Sequence, residues 1–479
     1  MRRELVLVLI LLITNKLSAQ DFFGMRIGNY AGVHGITINP AVNVNGPKEL
    51  DFNFISFGAS FESNYLYLEK SNIFLAGLKI GKLRPNPAIK MERRQISNPL
   101  YYNYFDRDGL YNFYGRGFVN FPGGMINFNN QSFALTFSNK FLGYVNRISS
   151  DYGYYYYQDS ATTEMWLDPM KMGLIHYGEV ALNYARKIPT TGVLDINVGI
   201  TAKYLMGWDA VFLRNNITKE SIKIENGVKI PEGSDVDFNW VSNYRYDYEN
   251  DKPIYNLSKN GDGGSVDLGI TIVNPLISDA EQVHKWKIGV AILDVGKIYF
   301  HKNAETNSFR TIDTVIYRDE YFANVKDLDS FRAVANYHAF GNYTHTVTGD
   351  RFSAWMPISL SVFGDFFIRN HLYISAHGMF RMPMKAIGLE QSNTIAVTPR
   401  IEKEHFEVAF PFILYNYKYP RAGFFIRKGV FFAGSDNMTA WLIPQKLRGM
   451  EFYMGFKWST NREFKNSRRK RLTVKCPVW

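Results

Sequence analysis

The stretch that decides the fold is Gly192–Gly207, GVLDINVGITAKYLMG, in which apolar and polar side chains alternate. Because successive side chains of a β-strand point to opposite faces, this alternation predicts one long strand with two chemically different faces. One face carries Leu194, Ile196, Val198, Ile200, Ala202, Tyr204 and Met206, and the other carries Asp195, Asn197, Gly199, Thr201 and Lys203. The stretch exceeds the about 9–11 residues that a tilted strand needs to cross a membrane.

The same alternation recurs along most of the chain. His405–Leu414 and Glu451–Trp458 are the clearest further examples, with aromatic or aliphatic residues at every second position. Similar segments begin near Glu49, Asn72, Leu110, Ser132, His176, Asp235, Gly263, His284, Trp355, His371, Ser392 and Arg421. We therefore predict about 14 strands, as in an antiparallel transmembrane barrel. One strand between Asp294 and Trp355 stays unplaced, and Ala335–Thr346 is the candidate for it. Weak helical patterns occur only near Pro169–Gly173 and Asp327–Asn336.

Short turns alternate with long polar stretches between these segments. Turn-forming residues occur at 187–192, 369–370, 402–404 and 419–421. The longer polar stretches are Arg84–Asp108, Asn146–Lys171, Asn215–Gly233, Asn250–Gly264 and Lys302–Arg351. Short turns at one end and long loops at the other are typical of outer-membrane barrels.

The composition agrees with a barrel and argues against a helical membrane protein. Aromatic residues make up 16% of the 479 residues, including 31 Tyr and 37 Phe, and such rings collect in the girdles of membrane barrels. Mean hydropathy is −0.21, and after the first 20 residues no apolar run is long enough for a membrane-spanning helix. The rival class is a soluble all-β sandwich or propeller. Its strands are usually only about 5–6 residues long, so the long aromatic strands favour the barrel.

The first 20 residues, MRRELVLVLILLITNKLSAQ, have the pattern of a secretory signal peptide. Two arginines precede the apolar run Leu5–Ile13, and small residues precede a cleavage point near Ala19/Gln20. The alternative is an uncleaved anchor helix, but the apolar run is shorter than the about 20 residues of a span. No cysteine stands at the cleavage point, which argues against a lipoprotein. We expect a signal peptide over 1–19 and an exported mature protein.

The charge and the single cysteine narrow the possible partners. The net charge is +11, but the basic residues are scattered and no nucleic-acid-binding motif accompanies them, so an anionic membrane surface is the better partner. A basic tail, residues 462–479, contains Arg468-Arg469-Lys470-Arg471, which suits either a solvated extension or contact with an anionic headgroup or a partner. Cys476 stands alone, so neither an intramolecular disulfide nor a cysteine-based metal site is possible.

Three regions of the chain contain short informative motifs. The first is Tyr30–Ala41 (YAGVHGITINPA), just inside the mature N-terminus. The second pairs Gly263–Ile270 (GGSVDLGI) with Trp286–Gly296 (WKIGVAILDVG), and the third is Phe431–Asn437 (FFAGSDN). Together these regions resemble the FadL/PorV-like family of outer-membrane barrels. The resemblance implies a Gram-negative outer-membrane barrel of 14 strands whose lumen is filled by an N-terminal hatch. It also implies either passage of hydrophobic molecules, as in FadL-type proteins, or a role in protein secretion, as in PorV-type relatives.

We accordingly divide the mature chain into a hatch (20–48) and a barrel (49–461), followed by the basic tail. The predicted hatch residues are Gly32, Gly35, Asn39, Pro40 and Ala41. Proline restricts its own φ and the conformation of the preceding residue, and glycine allows close backbone approach. These properties suit a compact plug, and equally a tight turn that leads into the first strand.

Polar residues on the strands should face the lumen, since charge facing lipid at mid-membrane costs about 2–4 kcal/mol for Lys or Arg. They would form either a selectivity lining or simply the paired, hydrated interior of any barrel. The candidates are Asp195, Asn197, Lys203, Asp365, His371, His377, Glu407, Glu451 and Lys457.

No motif in the chain points to catalysis, a metal or a cofactor. The loops Gly261–Gly264 and Gly434–Asn437 lack the spaced carboxylates of a calcium site and are read as turns. No HExxH motif occurs, and His338 and His345, which lie near each other, fall in a long loop. A Gly-x-Ser-x-Gly nucleophile motif does not occur. We therefore expect no metal, no cofactor and no enzymatic activity.

Two functions remain for a barrel of this kind. The first is passive transport of a small hydrophobic ligand through a partly apolar lumen, with displacement of the hatch. The second is a non-transporting outer-membrane scaffold that binds partner proteins. A continuous opening, or a gap in the wall beside the hatch, would favour transport. A sealed lumen together with a large exposed apolar surface on the loops would favour the scaffold. Outer-membrane lipid is the expected partner in both cases.

Overall fold

The computed structural model describes residues 22–461, apart from residues 45, 79–83, 86–100, 105–109, 150–163, 168, 191–192, 216–219, 226–227, 233–235, 245, 248–251, 254–257, 276–282, 312–320, 322–324, 326–327, 383–386, 391–392, 416 and 418. The predicted signal peptide and the basic tail therefore lie outside the described residues. The division into hatch and barrel stays a prediction.

The described residues form mostly β-structure. The strands are β1 (Lys48–Ser63), β2 (Leu66–Ser71), β3 (Arg84–Pro85), β4 (Tyr101–Tyr104), β5 (Leu110–Asn120), β6 (Gly123–Phe128), β7 (Gln131–Ser149), β8 (Glu164–Leu167), β9 (Lys171–Ile188), β10 (Asp195–Asn215), β11 (Glu220–Glu225), β12 (Val228–Glu232), β13 (Val236–Ser242), β14 (Tyr246–Asp247), β15 (Lys252–Pro253), β16 (Gly261–Pro275), β17 (His284–Phe300), β18 (Glu305–Thr311), β19 (Val347–Gly349), β20 (Phe352–Trp355), β21 (Ser359–Arg369), β22 (Leu372–Arg381), β23 (Thr394–Lys403), β24 (Phe406–Ala409), β25 (Phe412–Tyr415), β26 (Tyr419–Ala422), β27 (Phe424–Lys428), β28 (Phe431–Ser435), β29 (Gln445–Leu447) and β30 (Gly449–Asn461). The helices are α1 (Phe23–Arg26), α2 (Ile73–Leu78), α3 (Leu328–Phe340) and α4 (Thr439–Leu442), with a 3-10 helix at Gly32–Thr37.

The largest sheet closes into an antiparallel barrel, which confirms the predicted fold class. Closure is made by β1 and β30, whose paired residues run from Lys48 opposite Asn461 to Glu62 opposite Gly449. Four wall strands are each interrupted once, so 14 wall strands arise from 18 segments. In chain order they are β1, β5–β6, β7, β9, β10, β16, β17, β20–β21, β22, β23, β24–β25, β26–β27, β28 and β30. Three further strands, β13, β18 and β19, extend the sheet at one end.

The two ends of the barrel differ. At one end, here the turn end, short connections join β6 to β7, β21 to β22, β23 to β24 and β27 to β28. The barrel also begins at Lys48 and finishes at Asn461 on this end. The opposite end, here the mouth, carries the longer connections, including those from β17 to β20 and from β28 to β30. In an outer-membrane barrel, the short turns lie on the periplasmic side.

Burial along the strands is the reverse of that in a soluble protein. On β10 the outward side chains of Val198, Ile200 and Tyr204 are 40%, 43% and 45% exposed, whereas the inward Asn197 and Thr201 are 0% and 2% exposed. An apolar exterior around a polar interior is the pattern of a barrel solvated by lipid. Separately, none of the helices in the described ranges is long and apolar enough to cross a membrane.

Several local predictions were wrong. The segment from Asn72 forms the short helix α2 instead of a strand, and Ala335–Thr346 contributes the end of α3 instead of a missing wall strand.

The helical pattern near Asp327–Asn336 is confirmed by α3, because Phe331 and Ala335 pack one turn apart against Trp240. Strand parity is kept without an extra strand, since β17 ends at Phe300 and the next wall strand begins at Phe352. Near Pro169 no helix forms, because β9 begins at Lys171.

Candidate functional site

The N-terminal segment occupies the barrel lumen at the turn end. Helix α1 and the 3-10 helix are short, and all the residues of the segment from Phe22 to Val44 are buried except Arg26, Gly28 and Thr37. Gly32 has a φ of +59° and leaves space in which the Asp51 carboxylate sits, so both the conformation and the contact require glycine. Asp51 Oδ1 accepts a hydrogen bond of 3.0 Å from the Val33 amide. The segment packs as a plug and does not simply turn into the first strand.

The predicted Asn39-Pro40-Ala41 motif is held against the wall by neutral contacts. Asn39 Nδ2 donates to the carbonyls of Ile270 (3.1 Å) and Val290 (3.0 Å), which lie on β16 and β17. Its Oδ1 accepts a hydrogen bond from the Ala41 amide at 2.8 Å. Asn183 Nδ2 donates to the Pro40 carbonyl at 3.2 Å. The motif therefore connects the hatch to β9, β16 and β17.

Three wall glycines make room for this motif. A Cβ added at Gly199 would lie 2.5 Å from the Pro40 carbonyl carbon, and one at Gly269 would lie 2.5 Å from Asn39 Oδ1. A Cβ at Gly289 would overlap the Phe363 ring and would lie 3.0 Å from Asn39 Nδ2. Any side chain at the first two positions would therefore displace the hatch from the wall. Gly35 instead lies within the hatch, where a Cβ would be 3.1 Å from Val42.

The first part of the hatch is held by charged groups on a different side of the barrel. Asp436, just after β28, accepts hydrogen bonds from the Phe23 amide (2.6 Å) and from the Tyr453 hydroxyl (3.0 Å). The Glu402 carboxylate accepts hydrogen bonds from the Asn29 amide (3.1 Å) and from its side chain. Lys457 donates to the carbonyls of Tyr30 and Ala31. Hydrogen bonds to ionised groups are stronger than neutral ones.

A buried ion-pair network lies behind Glu402. Arg400 is fully buried and binds Asp365 in a bidentate manner, with N–O distances of 2.8 and 2.7 Å. Its Nε donates to Glu402 Oε2 at 2.9 Å. His284 Nε2 lies 3.0 Å from Asp365 Oδ2. Because Glu402 in turn holds Asn29, the network links the position of the hatch to β17, β21 and β23.

The structure buries most of the predicted lumen residues but does not gather them at one place. Asp195 pairs with Lys187 at 2.6 Å near the turn end, and Asn197 donates to Thr271 at 3.0 Å. Glu407 pairs with Arg427 at 3.2 Å. His377 lies 2.9 Å from Ser361 Oγ, and Glu451 is buried on β30. A shared role as a selectivity lining stays a prediction.

His371 is the exception, because it lies in the turn between β21 and β22 and not on a strand. It follows Asn370, and both residues have positive φ, 44° and 67°. Its carbonyl accepts a hydrogen bond from the Glu402 amide at 3.1 Å. The sequence pattern assigned it to the strand because the alternation of β22 continues backwards through it.

A cavity of about 130 Å³ lies between the hatch and the wall. Its charged side chains come mostly in pairs: Lys203 lies 2.7 Å from Asp267 and 2.6 Å from Asp294, and Lys140 lies 2.7 Å from Glu179. The apolar part of the lining consists of Phe22, Met25, Val33, Ile36, Phe118, Phe121, Leu142, Leu293 and Met379, among others. The lining of this cavity therefore combines apolar side chains with paired charges.

The wall beside the start of the hatch has a gap in its hydrogen-bond ladder. Strand β28 has only five residues and leaves the wall at Ser435. Beyond Ser435, the two strands on either side of β28 have a ladder partner on one side only, within the described residues. Strand β26 (Tyr419–Ala422) pairs there with β25, and Met450–Phe452 of β30 pair there with β1. The segment with α4 covers this gap, where Met438 donates to the Ala422 carbonyl at 2.8 Å and Trp441 Nε1 donates to the Glu451 carbonyl at 3.0 Å.

Sequence reasoning missed several of these residues. Arg400 and Glu402 alternate on β23, so the period-two pattern could have placed both inside the barrel. The sequence places Asp436 in a turn and in one of the regions that carry the family resemblance, but nothing in the sequence connects it with Phe23, 413 residues away. Among the residues that the structure describes, no group of three or more His, Cys, Asp or Glu side chains converges on a point where a metal ion could bind.

Comparison with known proteins gives one family and several distant structures. A family described as a family of unknown function (DUF5723) matches residues 40–436. No curated protein matches the chain in sequence. The TodX deltaS2S3 mutant monoaromatic hydrocarbon channel is 8% identical, covering 94% of this chain and 100% of its own, with a TM-score of 0.42. The toluene transporter TbuX of Ralstonia pickettii is 10% identical, covering 94% and 99%, with a TM-score of 0.37.

A FadL homologue from Pseudomonas aeruginosa, of the type that the sequence resembles, is 6% identical, covering 92% of this chain and 96% of its own, with a TM-score of 0.20. Similarities of this size leave the ligand of the present chain to be argued from its own geometry.

Proposed function

We propose that this chain, which belongs to the family of unknown function (DUF5723), is a passive outer-membrane channel for a small, largely hydrophobic ligand. An outer-membrane location is supported by the apolar exterior, the short turns at one end and the exported N-terminus that the sequence predicts. Catalysis is not part of this proposal.

The gap in the wall beside the hatch is the observation that carries the proposal. In lipid, each unpaired backbone group costs free energy, so strands do not normally leave a ladder open. Here a short segment covers the opening with one main-chain and one indole hydrogen bond, to Ala422 and Glu451. Phe22 packs edge-to-face against Tyr453 of β30, with ring centroids 5.6 Å apart. Movement of this segment would connect the lumen at the hatch with the surrounding membrane.

The contacts of Phe22 in the hatch and the lining of the lumen cavity support an opening at this gap. Phe22 lies between the guanidinium groups of Arg116 (4.7 Å from its ring centroid) and Arg26 (5.6 Å), and all three line the lumen cavity. A ligand in the cavity would thus contact the same aromatic ring that packs on the wall at the gap. We therefore infer that ligand passage requires a shift of the first hatch turn, while the Asn39-Pro40-Ala41 motif stays on the wall.

A disulfide across the gap tests the proposal. The pair Ala422→Cys and Met438→Cys, in a Cys476→Ser background, joins two residues linked by a backbone hydrogen bond. Uptake of the hydrophobic fluorophore N-phenyl-1-naphthylamine is measured in bacterial cells that carry the protein in the outer membrane. We expect oxidation to lower uptake about fivefold or more, to the level of cells without the protein, and reduction to restore it.

The matched control is a disulfide between Ile200→Cys and Leu268→Cys, a directly opposed outward pair on the continuous part of the wall. Its oxidation should leave uptake unchanged. The proposal is refuted if the unmodified protein gives no uptake above that of cells without it, or if both disulfides reduce uptake equally.

A scaffold function is the second candidate, and exposed apolar side chains near the mouth support it. Phe74 of α2, Leu442 of α4 and the adjacent Ile443 are 59%, 63% and 55% exposed. If the protein admits no fluorophore but co-purifies from its native membrane with a fixed partner, and F74S/L442S removes that partner, the scaffold replaces the channel.

A further inference from the structure

A second cavity, of about 350 Å³, lies at the mouth of the barrel, away from the hatch. Part of its wall is made by four neighbouring strands, β9, β10, β13 and β18, two of which extend beyond the closed barrel. Its size is at the lower end of the about 300–1,000 Å³ that small-molecule sites span. It shares no lining residue with the lumen cavity.

A strap, defined here as Ile387–Glu390, closes the cavity on its inner side. It crosses from the connection after β22 to the opposite wall, where the Tyr144 hydroxyl donates to the Gly388 carbonyl at 2.9 Å. Main-chain hydrogen bonds tie it to Trp355 at both Ile387 (3.0 Å) and Leu389 (2.9 Å). Leu389 is buried among Phe300, Phe352 and other apolar side chains of the upper lumen. The strap thus separates the mouth cavity from the lumen below it.

Strand register divides the lining of the mouth cavity into two rows. The upper row, in directly opposed pairs across the four strands, is polar: Lys171, Arg214, Asn239 and Ser308. The row below it contains Phe212, Val241 and Thr306, and the ring of Tyr144 adjoins it through Gly173, which is opposed to both Phe212 and Tyr144. Because opposed residues share a face of the sheet, a ligand meets a cationic rim above an apolar floor.

The rim contains two like charges placed side by side. Lys171 and Arg214 are directly opposed on β9 and β10, an arrangement that destabilises a sheet unless an anion lies between them. Lys171 is 3.5 Å from Glu390, but that carboxylate is already bound by both terminal nitrogens of Arg381 at 2.8 Å. No carboxylate in the described part of the chain pairs with Arg214. The positive charge at the rim is therefore only partly balanced.

We propose that the mouth cavity binds a small amphipathic organic anion, with its anionic group at Lys171 and Arg214 and its apolar body on Phe212, Val241 and Tyr144. The guanidinium of Arg214 offers paired donors to a carboxylate or sulfonate, and Asn239, whose amide nitrogen donates one hydrogen bond to Asp237, keeps a second N–H beside it. The anionic group would also compete with Glu390 for Lys171, which weakens the attachment of the strap. The inference deepens the proposed function, since it names the ligand class at the mouth.

The test measures binding alone, by isothermal titration of the purified full-length protein in detergent, with titration into detergent as the blank. The probes are 2-naphthoate and 2-naphthalenemethanol, which have similar apolar bodies and differ in charge. We expect naphthoate to bind about tenfold more tightly, because a charge-assisted hydrogen bond contributes about 1.5–3 kcal/mol and tenfold corresponds to 1.4 kcal/mol. Equal affinities would overturn the assignment of an anion site.

Variants locate the site. Arg214→Gln should weaken naphthoate binding about tenfold and leave the alcohol within about twofold. The matched control is Arg186→Gln, an exposed arginine at the other end of β9, which should change neither affinity. Equal losses in the two variants would attribute the effect to net charge and refute the site.

A second pair of variants tests whether the ligand enters the cavity itself. Thr348 is exposed and lines the cavity, so Thr348→Trp should remove binding of both probes. Thr190→Trp, at the turn end, is the control and should leave both unchanged. Retained binding in Thr348→Trp refutes the site. The binding titration is independent of the uptake assay described above. Intact naphthoate binding without fluorophore uptake would refute the channel and keep this site. Fluorophore uptake without naphthoate binding would keep the channel and refute this site.

Discussion

The hatch is held at two places by opposite means. The Asn39-Pro40-Ala41 end lies on the long strands β9, β10, β16 and β17, where neutral hydrogen bonds and three glycines set its position. The end from Phe23 to Ala31 lies on β23–β30, where Asp436, Glu402 and Lys457 hold main-chain groups. One attachment is steric and uncharged, and the other depends on ionised side chains.

The walls behind the two attachments differ in the same way. Strands β9, β10, β16 and β17 have 18, 21, 15 and 17 residues and form a continuous ladder. Strands β24–β28 have only four or five residues each, interrupted at Pro411 and Gly423. Proline removes a ladder donor, and short strands bury little, so this side has lower local stability. The stronger, charged contacts of the hatch therefore lie on the less stable part of the wall, and its neutral contacts lie on the long, paired strands.

The largest effect is expected for Arg400→Met. The substitution leaves the carboxylates of Asp365 and Glu402 buried without their shared cation, which costs about 3–5 kcal/mol of the free energy of unfolding. Chemical unfolding in detergent, followed by the loss of the folded band in unheated gel electrophoresis, measures it. Arg369→Met at the end of β21 is the control, with an expected change within about 0.5 kcal/mol. Equal free energies of unfolding for the two variants would show that the buried ion pairs do not stabilise the β23–β30 side of the barrel.

Asp436→Asn should separate the two attachments directly. The amide keeps the shape but loses the charge that binds the Phe23 amide and the Tyr453 hydroxyl, at a cost of about 1.5–3 kcal/mol. Hydrogen exchange should increase at Phe23–Arg26 and stay unchanged at Ala41. The control is Asp350→Asn, an exposed carboxylate at the mouth. If exchange increased equally at both ends of the hatch, the hatch would be a single rigid unit and the comparison would fail.

Gly199→Ala tests the steric attachment. Its Cβ would lie 2.5 Å from the main chain of Pro40, so either the hatch or the wall must shift, at a cost of about 1–3 kcal/mol. Gly117→Ala is the matched control, because its Cβ would be 3.7 Å from the nearest atom, an ordinary contact. Unfolding free energies and exchange at Ala41 measure the difference. A variant as stable as the control would mean that the Asn-Pro-Ala contact is loose.

The smallest effect is expected for the pH dependence of the strap. Like the first part of the hatch, the strap is held by an ionised side chain, Glu390, which binds Arg381. Burial raises the pKa of Glu390, but its hydrogen bond and ion pair with Arg381, with help from Lys171, lower it below the usual value. Because the pKa of Glu390 is lower in the folded state, the ionised carboxylate stabilises the strap fully at pH values above the unfolded pKa of about 4.3. This stabilisation is lost as the pH falls through the folded-state pKa. The protection factor of the Leu389 amide, which is the intrinsic exchange rate divided by the observed rate at the same pH, should therefore stay constant from pH 7 to 5 and fall only below the unfolded pKa of about 4.3. Faster opening between pH 7 and 6 would contradict it, and Glu390→Gln should remove the pH dependence.

The sequence was sufficient for the barrel because period-two alternation is a local property. Gly192–Gly207 and Glu451–Trp458 show their inward and outward faces without knowledge of any partner strand. It was insufficient where local patterns conflict or end. Asn72 begins a helix whose first turn its side chain caps, with the Leu75 amide donating to Asn72 Oδ1 at 2.9 Å. His371 continues an alternating pattern into a turn that its positive φ creates.

By itself, the sequence determined that the strands have a polar and an apolar face, that they are long enough to cross a membrane, and that an Asn-Pro-Ala segment precedes them. Only the tertiary structure decided which inward side chains meet, such as Phe23 with Asp436, and Lys171 beside Arg214. The reason is physical. Alternation specifies which face a side chain takes, but closure of the ring and the register of its strands specify its neighbours, and both depend on residues hundreds of positions apart.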